Sequence, residues 1–182
     1  MIREFSVKPK PTNGKARYAF VFSAAGAFAM IMLSTFIPLY KGIVSLVGIG
    51  LLSVALLVYT KYVAPIYYYD ITFDGNGEAL FVVRQQTGKR QTTLCRIALR
   101  EIVKIEKESR DQRREHKTPY EMKKYSYLPT LDPDVTYRIT TSGRYERAEI
   151  LIESSDGFAD LLSSYSAEAR TPTLRMIDAR KT

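Results

Sequence analysis

The chain has one cysteine and one histidine in 182 residues. Cys95 has no partner for an intramolecular disulfide. It lies in an apolar-alternating stretch, where it reads as a small buried hydrophobe in a reducing compartment. His116 sits among charges with no second histidine or cysteine nearby, so it reads as a surface residue and not as half of a metal site. Serine-hydrolase, Walker, dinucleotide-binding and zinc-protease spacings are missing too. A non-enzymatic protein without cofactor or metal is the expectation.

Acidic residues are scarce in the first third. From Met1 to Tyr69 the only carboxylate is Glu4, against Arg3, Lys8, Lys10, Lys15, Arg17, Lys41 and Lys61. Most of the formal charge of +8 therefore belongs to this stretch, and the remainder is nearly balanced. A nucleic-acid partner needs clustered Lys and Arg on the folded domain, so this distribution argues against one.

Charge of either sign is absent from Tyr18 to Tyr40 and again from Gly42 to Thr60. Each run meets the length of about 20 apolar residues that a spanning helix needs. Soluble amphipathic helices do not stay uncharged for so long. Ala25, Ala27 and Ala29 imitate a signal-peptide cleavage spacing, but the run is longer than a signal core and a second span follows at once. Pro38 to Gly42 allows a tight reversal. The expected organisation is a basic segment 1–17, a two-span hairpin 18–66 (18–40 and 42–64), a β domain 67–170 and a mobile tail 171–182.

Five basic residues precede the first span, one lies in the turn and Lys61 begins the exit, which places both termini in the cytoplasm. The multi-pass protein then belongs to the cell membrane. Arg17, Tyr18, Tyr40, Lys61, Tyr62, Tyr67, Tyr68 and Tyr69 are the expected anchors at the bilayer interface, because amphipathic rings and cationic ends favour that layer. Ser23, Ala27 and Gly48 are small enough for close helix approach; packing within the hairpin is the primary reading and a homo-oligomer face the alternative. No Asp, Glu, Lys, Arg or His lies within the runs Tyr18 to Tyr40 and Gly42 to Thr60, which disfavours ion or proton translocation.

Beyond the spans the apolar period changes to two, with turn residues about every ten positions, the signature of an antiparallel sandwich or barrel. Strands are expected at 67–73, 79–86, 91–97, 102–107, 123–128, 135–140 and 145–153. Asp74-Gly75-Asn76-Gly77 and Thr87-Gly88-Lys89 mark hairpin turns. Asp74, Asn76 and Glu78 resemble the opening of a calcium loop, but Ala79 and Gln85 stand where glycine and glutamate are required. Phe158, Leu161, Leu162 and Tyr165 form one helical stripe after candidate caps Ser154 and Ser155, and Thr171-Pro172 stops it. Asp156 and Asp160 on that helix read as surface carboxylates.

Seven short strands followed by one amphipathic helix, behind a two-span hairpin, resemble bacterial membrane proteins with a pleckstrin-homology-like (PH-like) domain. The segments that carry the resemblance are LCRIALREIVKI (Leu94 to Ile105), RAEILIES (Arg147 to Ser154) and FADLLSSY (Phe158 to Tyr165). It implies a curved sheet capped by the helix, used for binding or scaffolding, with no catalytic residues. The break from Glu108 to Met122 reads as a solvated loop, and its Arg110, Arg113, Arg114 and Lys117 are candidate contacts for lipid headgroups or a partner. The functional expectation is a membrane-anchored module binding a protein partner or headgroups at the cytoplasmic face. The alternative is an accessory subunit of a membrane enzyme or transporter, docked through its hairpin.

Overall fold

A computed structural model describes residues 4–9, 14–143 and 147–171. Strand β1 (Phe5–Val7) precedes helix α1 (Gly14–Ser34); a short 3-10 turn, Pro38–Tyr40, leads to helix α2 (Lys41–Val58), which ends in one π turn, Tyr59–Val63. The two helical stretches, Gly14–Ser34 and Lys41–Val63, have 21 and 23 residues and mean hydropathies of 1.6 and 2.4, long and apolar enough to cross a membrane. Only 11% of each apolar window is buried within the protein, so neither is the core helix of a soluble domain. At 1.5 Å per residue each reaches about 30 Å, the thickness of a hydrocarbon core.

The helices pack against each other closely because of Gly48. A Cβ there would meet Ile31 Cγ1 at 3.0 Å and the Ala27 carbonyl oxygen at 3.3 Å. Ala27 is itself buried in this contact. Both small residues thus pack inside the hairpin, as the primary reading of them expects. The half-buried Ser23 hydroxyl turns back onto the Ala19 carbonyl at 2.6 Å, as Thr60 does onto Leu56 at 2.9 Å. Such back-bonding satisfies hydroxyls where no water is at hand.

The β domain follows as β2 (Pro65–Phe73), β3 (Ala79–Thr87), β4 (Arg90–Ala98), a 3-10 turn at Leu99–Glu101, β5 (Ile102–Ser109), α3 (Arg110–Glu115), β6 (Lys123–Tyr127), β7 (Val135–Ser142), β8 (Arg147–Ile152) and α4 (Asp156–Arg170). All seven strands and the terminal helix expected from the sequence are present. The start of the seventh, at Tyr145, and the tail 172–182 lie outside the described residues. One sheet has the order β1-β2-β3-β4, the other β5-β7-β8-β6.

Two features depart from the expected antiparallel series. The segment before the first span contributes β1, which pairs with β2 in the register Phe5↔Ile71, Ser6↔Asp70, Val7↔Tyr69. Strand β6 runs parallel to β8, from Lys123↔Ala148 to Tyr127↔Ile152, because β8 inserts between β6 and its chain neighbour β7.

Alternation sends Tyr67, Tyr69 and Ile71 of β2, Phe81 and Val83 of β3, Ile139 of β7 and Ile150 and Ile152 of β8 into one core. Helix α4 closes it. Ser155 caps the helix by accepting from the Phe158 amide, and Phe158 then stands between Tyr69, Phe81 and Phe5, with ring centroids 6.3, 6.4 and 6.1 Å away. These offset aromatic contacts add to the area term of burial.

Tyr67 and Tyr69 are therefore core residues and not interface anchors, which corrects the expectation for both. Tyr68, on the opposite face of β2, is half-buried and donates to Gln86 at 3.1 Å. Aromatic residues suit both a bilayer interface and a strand; the strand begins two residues earlier than expected, at Pro65, and decides the matter. Tyr18, Tyr40, Arg17 and Lys61 remain exposed along the helical hairpin, and the Lys61 ammonium lies 5.4 Å from the Tyr62 ring centroid.

Candidate functional site

The expected loop from Glu108 to Met122 is largely folded. Ser109 and Gln112 form a capping box that opens α3: the Ser109 hydroxyl accepts from the Gln112 amide, and the Gln112 side chain accepts from the Ser109 amide at 2.9 Å. The helix and the residues after it lie over the outer face of the second sheet. His116 Nε2 is 3.1 Å from Glu149 Oε1, and the Thr118 hydroxyl donates to Glu149 Oε2 at 2.8 Å. His116 is half-buried against that carboxylate, a correction to its reading as a plain surface residue.

Under this cover Arg138 is buried and donates to Glu108 at 2.8 Å. Burial alone would raise the Glu149 carboxyl; the hydrogen bonds from Thr118 and His116 and the Arg138 charge outweigh it and leave the group below its ordinary value.

The structure brings Arg110, Arg113 and Arg114 together on one carboxylate, with Arg110 and Arg113 partly buried and Arg114 exposed. Asp132 meets all three, at 3.0 Å from Arg110, 2.9 Å from Arg113 and 3.5 Å from Arg114, and Asp134 also pairs with Arg110. Lys117 is exposed and stands apart from this cluster. Sequence spacing could not reveal the pairing, since the carboxylates are some twenty positions further along the chain. A polar hollow of about 300 Å³ joins this cluster to the start of the first span, lined by Lys15, Asp132, Asp134 and Glu153.

A second hollow lies where the two sheets fail to meet. Strand β4 is the last strand of one sheet and β6 the last of the other, so among the described residues no further strand lies beside either. Between them a groove of about 410 Å³ is lined by Leu94, Ile97, Tyr125, Tyr127, Ala148 and Ile150. The Tyr125 and Tyr127 rings lie nearly parallel, at 4°, with centroids 6.4 Å apart. Tyr127 donates across the gap to the Leu94 carbonyl at 3.4 Å, and its own carbonyl accepts from the buried Tyr69 hydroxyl at 2.7 Å.

Desolvation pushes the Tyr127 hydroxyl up to about 12 and raises the Cys95 thiol as well, so both stay protonated near neutral pH. A protonated, half-buried thiol is a poor nucleophile, in line with its reading as a packing residue. The arrangement suits contact by shape and main-chain hydrogen bonding, along strand edges that no further strand covers among the described residues. Among the described residues no group of three His, Cys, Asp or Glu is placed to hold a metal ion.

No protein family, curated protein or solved structure matches this chain. The site must be read from its own chemistry. Sequence reasoning placed β4 and β6 as strands but had no means of seeing that both are edges, because strand order is set by contacts far apart in the chain.

Proposed function

We propose that this protein is a membrane-anchored, non-enzymatic module whose PH-like β domain is held at the cytoplasmic face, where the groove between β4 and β6 receives a protein partner. The β1–β2 pairing carries this reading. The chain leaves the sheet through β1, passes through two apolar helices and re-enters the same sheet through β2, so a bilayer-spanning hairpin would have both ends on the domain's side. A domain tied at both ends keeps a constant pose towards the membrane, as a docking platform requires.

The basic residues flanking the first span support the cytoplasmic side. The parallel strand β6 is a departure within an otherwise antiparallel series of two sheets and a capping helix, the architecture that the PH-like resemblance implies. Docking through the hairpin as an accessory subunit loses its main support, since Ala27 and Gly48 are already used between the two helices.

A photo-crosslinking side chain at Leu94 or Tyr125 of the full-length protein in native membranes tests the groove. The expected result is a discrete adduct at either position and none at the fully exposed Tyr120. Adducts absent from the groove positions, or the same at all three, contradict the proposal.

A further inference from the structure

The cations that remain free for the membrane lie elsewhere than in α3. Strand β2 leaves the second span at Pro65, and β3 returns antiparallel to it until Thr87 stands opposite Pro65. Adjacent strands are about 5 Å apart, so Thr87 is at the level where the chain leaves the helix. The turn that follows, Gly88-Lys89, lies just beyond that last pair of the ladder. Gly88 takes φ +61°, and the Gln86 side-chain amide donates to its carbonyl at 3.0 Å, which stiffens the tip.

Thr87 to Thr93 are all exposed, and the stretch Gln85 to Thr93 contains Lys89 and Arg90 but no carboxylate. Neither cation pairs with an acid among the described residues, whereas Arg110, Arg113 and Arg114 all share Asp132. Lys61, exposed on the π turn, adds a third positive charge at this exit.

We infer that the β3–β4 tip, through Lys89 and Arg90, rests on the anionic headgroups of the leaflet on the domain's side and fixes the tilt of the domain. The inference rests on the two-span reading. Charges within a screening length of about 8 Å from an anionic surface are attracted to it, and the ladder sets Thr87, two residues before Lys89, beside Pro65, where the chain leaves the second helix. The polar side chains around the two cations, Gln86, Thr87 and Gln91, supply hydrogen-bond donors suited to phosphate oxygens.

Hydrogen exchange of the full chain in nanodiscs tests it. With phosphatidylglycerol mixed into phosphatidylcholine, amides of 87–91 should exchange about fivefold more slowly than in phosphatidylcholine alone, the factor one basic contact supplies. Amides of 110–115 should not change. Lys89→Gln with Arg90→Gln should abolish the slowing without affecting insertion, and so should high salt. Equal exchange in the two lipids, or a slowing that survives the double substitution, overturns the inference while leaving the hairpin intact. A chain that does not enter nanodiscs overturns the two-span reading and this inference with it.

Discussion

The hydroxyl of Ser6, in the strand before the first span, donates to the carboxylate of Asp70, in the strand after the second. Asp70 is buried and also accepts from the Arg84 guanidinium. One side chain therefore joins the N-terminal segment, the strand that follows the second apolar helix and the strand that pairs with it.

Asp70→Ala should lower the unfolding free energy of the domain by about 2–3 kcal/mol, because it strips partners from both Ser6 and Arg84. Asp70→Asn keeps an acceptor for Ser6, and Arg84 is exposed enough to be hydrated, so about 1 kcal/mol is expected. Denaturant titration in detergent, following the tyrosine signal, separates the two. Equal stability for all three proteins would show that the network contributes nothing.

Leu162 of α4 is fully buried against the core. Leu162→Ala should cost about 2–5 kcal/mol by the transfer and cavity terms. A loss well below that, measured in the same titration, would mean that α4 does not close the sandwich.

At Gly48 any side chain pushes against Ile31 and the Ala27 carbonyl. Gly48→Val should destabilise the hairpin by about 1–3 kcal/mol, as overpacking does, and Gly50→Val, with nothing within 4 Å of its Cβ, should not. Relative protease resistance of the two variants in detergent is the readout.

Glu149 and Glu153 have opposite pH signatures. The folded Glu149 carboxyl lies below its ordinary value of 4.5, so its contribution to stability is present above that value and is lost as pH falls through the folded one. Glu153 is raised instead, by burial that outweighs its hydrogen bonds with Thr130. Its contribution is present below 4.5 and is lost as pH rises through the folded value. Unfolding midpoints across the acid range should show Glu149→Gln flattening the loss on acidification. Glu153→Gln should remove a penalty that is present at neutral pH. The same pH profile in both variants would contradict the assignment.

The elements that could be read from the sequence are those whose signals are local. Asp74 accepts from the amides of Asn76 and Glu78 at 2.9 and 2.8 Å, and Gly77 has a φ of +78°, so the turn between β2 and β3 is written in four consecutive residues. The apolar stripe of α4 and the uncharged spans are equally local. Three residues of β1 carry too little pattern, and their partner strand lies beyond both spans. Helix α3 did have a local signal, the Ser109 to Gln112 capping box, hidden within a stretch dominated by charge.

The arginine cluster shows the same division. Its composition resembles a headgroup site, but Asp132 and Asp134, distant in sequence, offset most of its charge. Tyr69 shows the reverse case: a sequence position close behind the second apolar helix, yet a side chain in the centre of the domain.

The central claim is that α1 and α2 form a membrane hairpin with the β domain on the cytoplasmic side. The most direct measurement labels single cysteines with a membrane-impermeant maleimide, in a Cys95→Ser background, at the exposed Leu39 between the spans and the exposed Tyr120 of the domain. The account predicts that Leu39→Cys is labelled in intact cells and Tyr120→Cys only after the membrane is opened. Labelling of both from the same side would contradict it.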